Sequence, residues 1–488
     1  MSPAGKIDPM PAFRDLRRRC LLLAWVLASV APAGALRAEP QAAPAELFPA
    51  PVLSRSTPGL APGREDFTRN DELEAALRAL AASGQAEPIE LGPTAHGQAL
   101  LALHFQRGER RPVVLLIGQQ HGNEPAPAEA LLLLAQRLAD PQDELAPVLA
   151  AVEVVLLARA NPDGATLRQR GNADGVDINR DHLLLASAEA RAVAALARRF
   201  DPIVVVDLHE FQAMPRAWVA QGLAARHDLL VQYATTANLN PALVRASEDW
   251  FRRPLWRDAA AAGLAVDWYH RRGNDSGWIA MGGVQPVLAR NAFGLRHAVS
   301  LLLESRGLDL GRQHLARRVQ THLVALASVL RSAAEHAAAL QGLRLEAART
   351  EVSLACGGEL VVEAEPQATR RPLALLDLRT GAEVVREVAW ASALTLRASL
   401  TGPRPCAYWL DASAVEVVEQ LRRLGVRVRT LAAPAGLQSE GELFEAASWQ
   451  AVAGDHLVPM DQPLAALAAA VLEPAIDQGW VARVVSER

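Results

Sequence analysis

The stretch Pro112-Val-Val-Leu-Leu-Ile-Gly-Gln-Gln-His121-Gly-Asn-Glu124-Pro-Ala-Pro-Ala-Glu-Ala-Leu-Leu-Leu-Leu-Ala-Gln-Arg-Leu138 decides the fold class. From Pro112 to Ile117 the residues are apolar and partly β-branched, without polar alternation, which predicts a strand buried on both faces. From Pro125 to Leu138 the pattern turns helical, with Pro at the first turn, where its missing N–H costs nothing. Working outward, Val152 to Leu157 reads as a second strand, Ala188 to Phe200 as a helix, and Ile203 to Leu208 as a third strand. Buried strands separated by helices predict an α/β domain: a mixed, largely parallel sheet flanked by helices. A long helical pattern from Gly311 to about Leu340 is expected to pack over that sheet.

At 488 residues the chain is too long for one ordinary domain. The α/β pattern fills 66–342. From 343 to 488 the character changes to a smaller β-rich C-terminal domain. Glu359-Leu-Val-Val-Glu and Leu394-Thr-Leu-Arg alternate like strands, Ala412 to Leu424 is an amphipathic helix, and Gly425-Val-Arg-Val-Arg is expected to form a strand after it. Residues 39–65 are rich in Pro and Ala and read as a linker or a surface-hugging arm.

Residues 1–38 read as a signal peptide: Arg14, Arg17, Arg18 and Arg19, an apolar run from Cys20 to Val30, and Ala33-Gly-Ala35 before a second possible cleavage point at Ala38. The apolar run is short for a bilayer span, so export is expected, to a periplasm or beyond, with no stable membrane span after processing. The formal net charge is −4 and no run of Lys and Arg makes a basic stripe, which speaks against nucleic acid as a partner. Once the signal is removed, Cys356 and Cys406 remain, either bonded in an oxidising compartment or as two buried thiols. Neither lies near the polar motifs, so a thiolate nucleophile is not expected.

His121 and Glu124 follow the first buried strand, and the carboxyl end of a strand is where open α/β sheets place ligands. His209 ends another apolar strand in Val-Val-Asp-Leu-His. His-x-x-Glu alone is weak evidence, but two His and a Glu at strand ends make a three-ligand zinc set with one coordination position left open. The competing reading is a pair of structural histidines capping the sheet.

Further motifs follow in order: Asn161-Pro-Asp-Gly164, Arg170-Gly-Asn-Ala-Asp-Gly-Val-Asp177-Ile-Asn179-Arg180-Asp181, and Glu304 ending the apolar run Leu301-Leu-Leu. Taken with His121, Glu124 and His209, this series resembles the zinc metallocarboxypeptidases over roughly residues 66–335. Tyr408-Trp-Leu and Val458-Pro-Met-Asp-Gln-Pro-Leu resemble, more weakly, extensions of bacterial members. The resemblance implies one Zn2+ per chain, Glu304 as general base, Arg170 as oxyanion stabiliser, and Asn179 and Arg180 as holders of the substrate's terminal carboxylate. It also implies peptide substrates, cell-wall peptides included. Burial in an apolar strand is expected to raise the pKa of Glu304, and Asp207 is a candidate to orient a ligand histidine.

The chain departs from the pattern at His182, where family members commonly carry an aromatic residue; a packing or pocket-wall role is expected of it. A substrate-capping Tyr is not placed by any motif; Tyr269 is the nearest candidate, with Trp278 as a substitute. Arg290 and Asn291 read as a substrate-side or a structural element. Two further function classes stay open: an N-acyl amino acid deacylase of the desuccinylase and aspartoacylase type, which carries a similar metal loop, and a zinc-bound binding protein without turnover.

Overall fold

Every residue of Val113–Gly118 is buried, as an apolar run with no polar alternation requires. The computed structural model describes residues 47–272, 278–439, 448–474 and 481–487. The expected signal peptide lies outside the described residues.

Eight strands form the central sheet: β1 (Glu87–Pro93), β2 (Ala99–Phe105), β3 (Val113–Gly118), β4 (Glu153–Leu157), β5 (Val204–Phe211), β6 (Leu229–Tyr233), β7 (Val266–Trp268) and β8 (Val299–Arg306). Their spatial order is β1-β2-β4-β3-β5-β8-β6-β7. The central pairs β4–β3, β3–β5 and β5–β8 are parallel, whereas β1–β2, β2–β4 and β8–β6 are antiparallel. The sheet is therefore mixed, with its parallel core in the middle.

The helices used below are α1 (Asn70–Ala82), α2 (Ala126–Ala139), α3 (Ala188–Phe200), α4 (Ala289–Gly294) and α5 (Leu315–Ser353). Successive side chains of a strand point to opposite faces, and β3 shows both faces covered. Val114 and Leu116 join a core with Leu131 and Leu134 of α2 and Leu326 and Leu330 of α5. Val113, Leu115 and Ile117 join another with Val193 and Leu196 of α3 and Phe293 of α4. Fully burying each such aliphatic side chain contributes about 1.5–3 kcal/mol. Among the described helices α5 alone is long and apolar enough to cross a membrane, and most of that apolar window is buried inside the protein.

Helix α5 runs to Ser353, eleven residues past the expected boundary at 342, because Leu340 and Ala347 continue its buried stripe. Beyond it, an antiparallel pair of long strands, Glu359–Asp377 and Glu383–Pro403, shares a sheet with Leu223–Ala225, His270–Arg272 and Ile279–Met281. A third sheet of six short strands follows, including Ala407–Leu410 and His456–Pro459. Its helices Val415–Arg423 and Ala465–Leu472 share an apolar core with Leu183, Leu185, Ala292 and Leu295. The expected strand at 425–429 is corrected: residues 425–428 form a loop, and only Arg429–Thr430 pair, against Leu457 and His456. Cys356 and Cys406 are joined by a disulfide.

Candidate metal centre and active site

The chain leaves β3 through Gln119, whose φ of 50° turns it sharply. The Gln119 side chain holds that left-handed turn: its Nε2 donates to the Gly122 carbonyl at 2.9 Å, and its Oε1 accepts from Arg159 Nε at 2.7 Å. Gly122 then packs backbone to backbone on Gly164; a Cβ here would lie 1.9 Å from the Gly164 carbonyl carbon. Asn161 ties the loops together. Its Oδ1 accepts from Gly164 N at 2.8 Å, while its Nδ2 donates to the Gln120 and Arg170 carbonyls at 3.0 and 3.3 Å. Asn161-Pro-Asp-Gly is thus a clasp between the His121 loop and the Arg170 loop.

This clasp and the strand ends bring His121, Glu124 and His209 together. The Nδ1 atoms of both histidines face the Glu124 carboxylate, each at 2.8 Å, and lie 3.0 Å from each other. All three side chains are buried. Each histidine has its outer nitrogen fixed by a carboxylate. Nε2 of His209 is 2.8 Å from Asp207 Oδ1, and Nε2 of His121 is 3.2 Å from Asp177 Oδ1. Such outer partners set the ring orientation of metal ligands. Donor atoms from the three residues lie within 4.8 Å of one another. Two convergent imidazole nitrogens and one carboxylate, each ring anchored from behind, fit a zinc ion with an open position.

Glu304 lies in register with His209 on the adjacent parallel strand β8, so both side chains leave the same face of the sheet, one strand spacing apart. Burial pushes its carboxyl up to about 7. Arg170 reaches over the ligands: Nε binds Asp177 Oδ2 at 2.9 Å, and Nη1 is 3.3 Å from His121 Nδ1 and 3.9 Å from Glu124 Oε1.

Asn179 and Arg180 line the same cavity, but in different ways. The Asn179 amide is turned into the protein, with Nδ2 3.1 Å from Asp207 Oδ2 and 3.0 Å from His209 Nε2, and Oδ1 accepting from Ala289 N at 2.9 Å. Arg180 is exposed, and its Nη1 donates to the Asn179 carbonyl at 2.8 Å. Tyr269 and Arg290 also line the cavity, whose volume is about 570 Å3; Trp278 is not among the described residues that do.

His182 is buried away from the ligands, stacked obliquely on Phe293. Its Nε2 meets Gln120 Oε1 at 2.7 Å, and Gln120 Nε2 donates to Asp207 Oδ1 at 2.6 Å. It therefore stands behind the support of His209. Two supports went unassigned in the sequence. Asp177 stands in the Arg170–Asp181 stretch with no role of its own, and Gln120 only in the stretch leading to His121. The adjacency of Gln120 to His121 is the one signal that could have found it.

Comparison with known proteins agrees with this chemistry. Residues 73–270 match the model of the zinc carboxypeptidase family. Carboxypeptidase 2 of Trichophyton equinum is 28% identical over 451 residues, covering 85% of this chain and 84% of that protein. A probable carboxypeptidase 2 of Arthroderma benhamiae is 30% identical over 321 residues, covering 65% and 61%. Among solved structures, a metallo-carboxypeptidase from Pseudomonas aeruginosa aligns over 54% of this chain and 68% of its own, with 19% identity and a TM-score of 0.43. These sequence relatives are fungal and give no support to a specifically bacterial origin. Neither the deacylase nor the non-catalytic reading gains from the comparisons. The His-Glu-His centre at the strand ends lies within the segment that matches the zinc carboxypeptidase model, and on that match and these relatives the chain is a metallocarboxypeptidase.

Proposed function

We propose that this metallocarboxypeptidase is an exported enzyme that removes C-terminal residues from peptides, cell-wall peptides among them. One Zn2+ per chain would be held by His121, Glu124 and His209. The observation that carries the reading is that His121, Glu124, Glu304, Arg170 and Arg180 all border one cavity, with His209 beside Glu124 and level with Glu304 across paired strands. Zinc bound there would supply Lewis acidity toward a water and toward the scissile carbonyl.

The protein's own groups do the rest. Glu304, with its carboxyl near neutrality, takes a proton from the attacking water and returns it to the departing amine. Arg170 stays cationic beside Asp177 and Glu124 and stabilises the negative charge that develops on the carbonyl oxygen. Arg180 offers its guanidinium to the substrate's terminal carboxylate, as a planar bidentate donor suits. Asn179 contributes from behind, fixing Arg180 through its carbonyl and bracing the Asp207–His209 pair. Tyr269 forms a wall of the same space and is the candidate cap over the bound residue. The Arg-rich, apolar N-terminus supports export. A catalytic domain at 66–342 followed by a smaller β-rich C-terminal domain at 343–488 is part of the same proposal.

The test is mass spectrometry of a peptide pool incubated with zinc-loaded protein. Each peptide is offered with a free and with an amidated C-terminus, beside a panel of N-acyl amino acids. Stepwise trimming confined to free-ended peptides is expected. Intact peptides with cleaved N-acyl amino acids would overturn the reading.

A further inference from the structure

Arg290 is only 3% exposed, yet it forms part of the cavity wall. Its seat is built for it. Nη2 donates to the Gly283 carbonyl and lies so close to Gly282 that a Cβ there would sit 2.7 Å from it, and 2.8 Å from Tyr269 Cδ1. Gly282 is in turn pinned by Gln232, whose Oε1 accepts from Gly282 N at 2.8 Å and whose Nε2 donates to Thr235 Oγ1 at 2.7 Å. The Nε atom of Arg290 is buried with no partner, and among the described residues no carboxylate pairs with this guanidinium. Burial lowers its pKa to about 10, which leaves it cationic at neutral pH. A buried guanidinium with no carboxylate in ion-pair contact is unfavourable; Asp207 and Glu304 act on Arg290 only from beyond that distance, and Arg290 lines the cavity.

The balance of charge around that space points the same way. Of the acidic residues on the wall, Asp177 is paired with Arg170, and Glu210 is held by Arg318 at 2.7 and 2.9 Å. Glu124 faces the two histidines. That leaves Glu304 against Arg180, Arg271, Arg272 and Arg290 among the described lining residues. Arg180 suffices for one carboxylate. Arg290 adds a second guanidinium to the same cavity, this one buried, and calls for a second anion on the same ligand.

We propose that Arg290 sets the side-chain specificity of this enzyme, which releases C-terminal residues with an acidic side chain, above all glutamate, by pairing their side-chain carboxylate with the Arg290 guanidinium. The proposal rests on the carboxypeptidase reading above.

It is tested on the full, zinc-loaded protein with N-blocked peptides differing only in their last residue: Glu, Asp, Leu, Phe or Lys. Zinc content and circular dichroism serve as folding controls. The ratio of kcat/KM for Glu over Leu is expected to be on the order of 10–100, as a charge-assisted pair in a desolvated site would give. Arg290→Gln should collapse that ratio, and Arg290→Lys should restore part of it. Calorimetry of free L-glutamate and L-leucine on the same proteins gives a readout independent of turnover, with glutamate binding weakened about tenfold or more by Arg290→Gln. A wild-type preference for Leu, Phe or Lys would overturn the proposal, as would equal losses on Glu and Leu in Arg290→Gln, or glutamate binding indifferent to that change. Failure of the carboxypeptidase reading looks different: no free-ended peptide is trimmed, whatever its last residue.

Discussion

Glu304 ends an apolar run on β8, and the same burial that makes it a poor surface residue makes it a useful base. Water is the solvent that keeps a carboxylate ionised; with 6% of its surface exposed, the carboxyl rises to about 7, near the pH at which a base best exchanges protons. Replacing it by Gln preserves shape and removes the proton acceptor. Glu304→Gln should hold zinc at the wild-type level while kcat falls about 10²–10⁴-fold. Metal analysis and kcat on the same preparation check this, and a fully active variant would remove Glu304 from the mechanism. Asp207 works one step back. It accepts from His209 Nε2 and from Gln120 Nε2, and so holds the ring with Nδ1 toward Glu124. Asp207→Asn swaps half of that acceptor for a donor. Zinc affinity is expected to weaken about 10–100-fold while the fold persists, as competition with a chelator would measure. Unchanged affinity would reduce Asp207 to a strand-end residue.

Loops rather than strands decide whether those residues meet. The strand-end ligands were legible in the sequence because each sits on a local pattern: an apolar run, then His121 and Glu124; an apolar run, then His209. Their supports were not, because each is made across the chain. Asp177 lies 56 residues from His121, and only the Asn161 clasp brings its loop over the metal loop. The seat of Arg290 depends on Gly282 and Gln232, which come from different elements and form no motif. Gly122 shows how tight the assembly is. Any Cβ there meets the Gly164 backbone, which has no flexible end to move aside. Gly122→Ala should therefore drive the two loops apart, with loss of bound zinc and a stability cost of about 1–3 kcal/mol from overpacking. Zinc content and a urea midpoint measured together check it; a variant with normal metal would show that the loops separate without disturbing the ligands.

On the scale of the molecule, the C-terminal third was the least legible part, and the reason is that its strands find partners far away in sequence. The alternating runs near Glu359 and Leu394 announced strands, but not that they extend over 19 and 21 residues. Nor did they show that Ile279 would pair with Trp390. That pairing fastens the second sheet to Ile279–Met281, directly before the Gly282–Gly283 seat of Arg290. The two long strands are themselves closed off by the Cys356–Cys406 disulfide, which links the end of α5 to the start of Ala407–Leu410 across 50 residues. Most of the backbone hydrogen bonds of this pair run between its own two strands, so its hold on the rest of the chain comes from short edge pairings, the apolar core that Leu373, Leu375 and Trp390 share with Phe211 and Leu230, and that covalent link. In the chain-entropy treatment, a loop of this length restrains the unfolded state by about 4 kcal/mol. Replacing both cysteines by Ala should lower unfolding free energy by about 2–5 kcal/mol, read from urea unfolding of the zinc-loaded protein. Because the second sheet borders the cavity, the same variant should lose discrimination between C-terminal Glu and Leu before it loses zinc. A variant that unfolds earlier yet keeps its discrimination would instead mean that Gln232 and Asn291, whose Nδ2 donates to the Gly283 carbonyl at 3.2 Å, suffice to hold the Gly282–Gly283 seat.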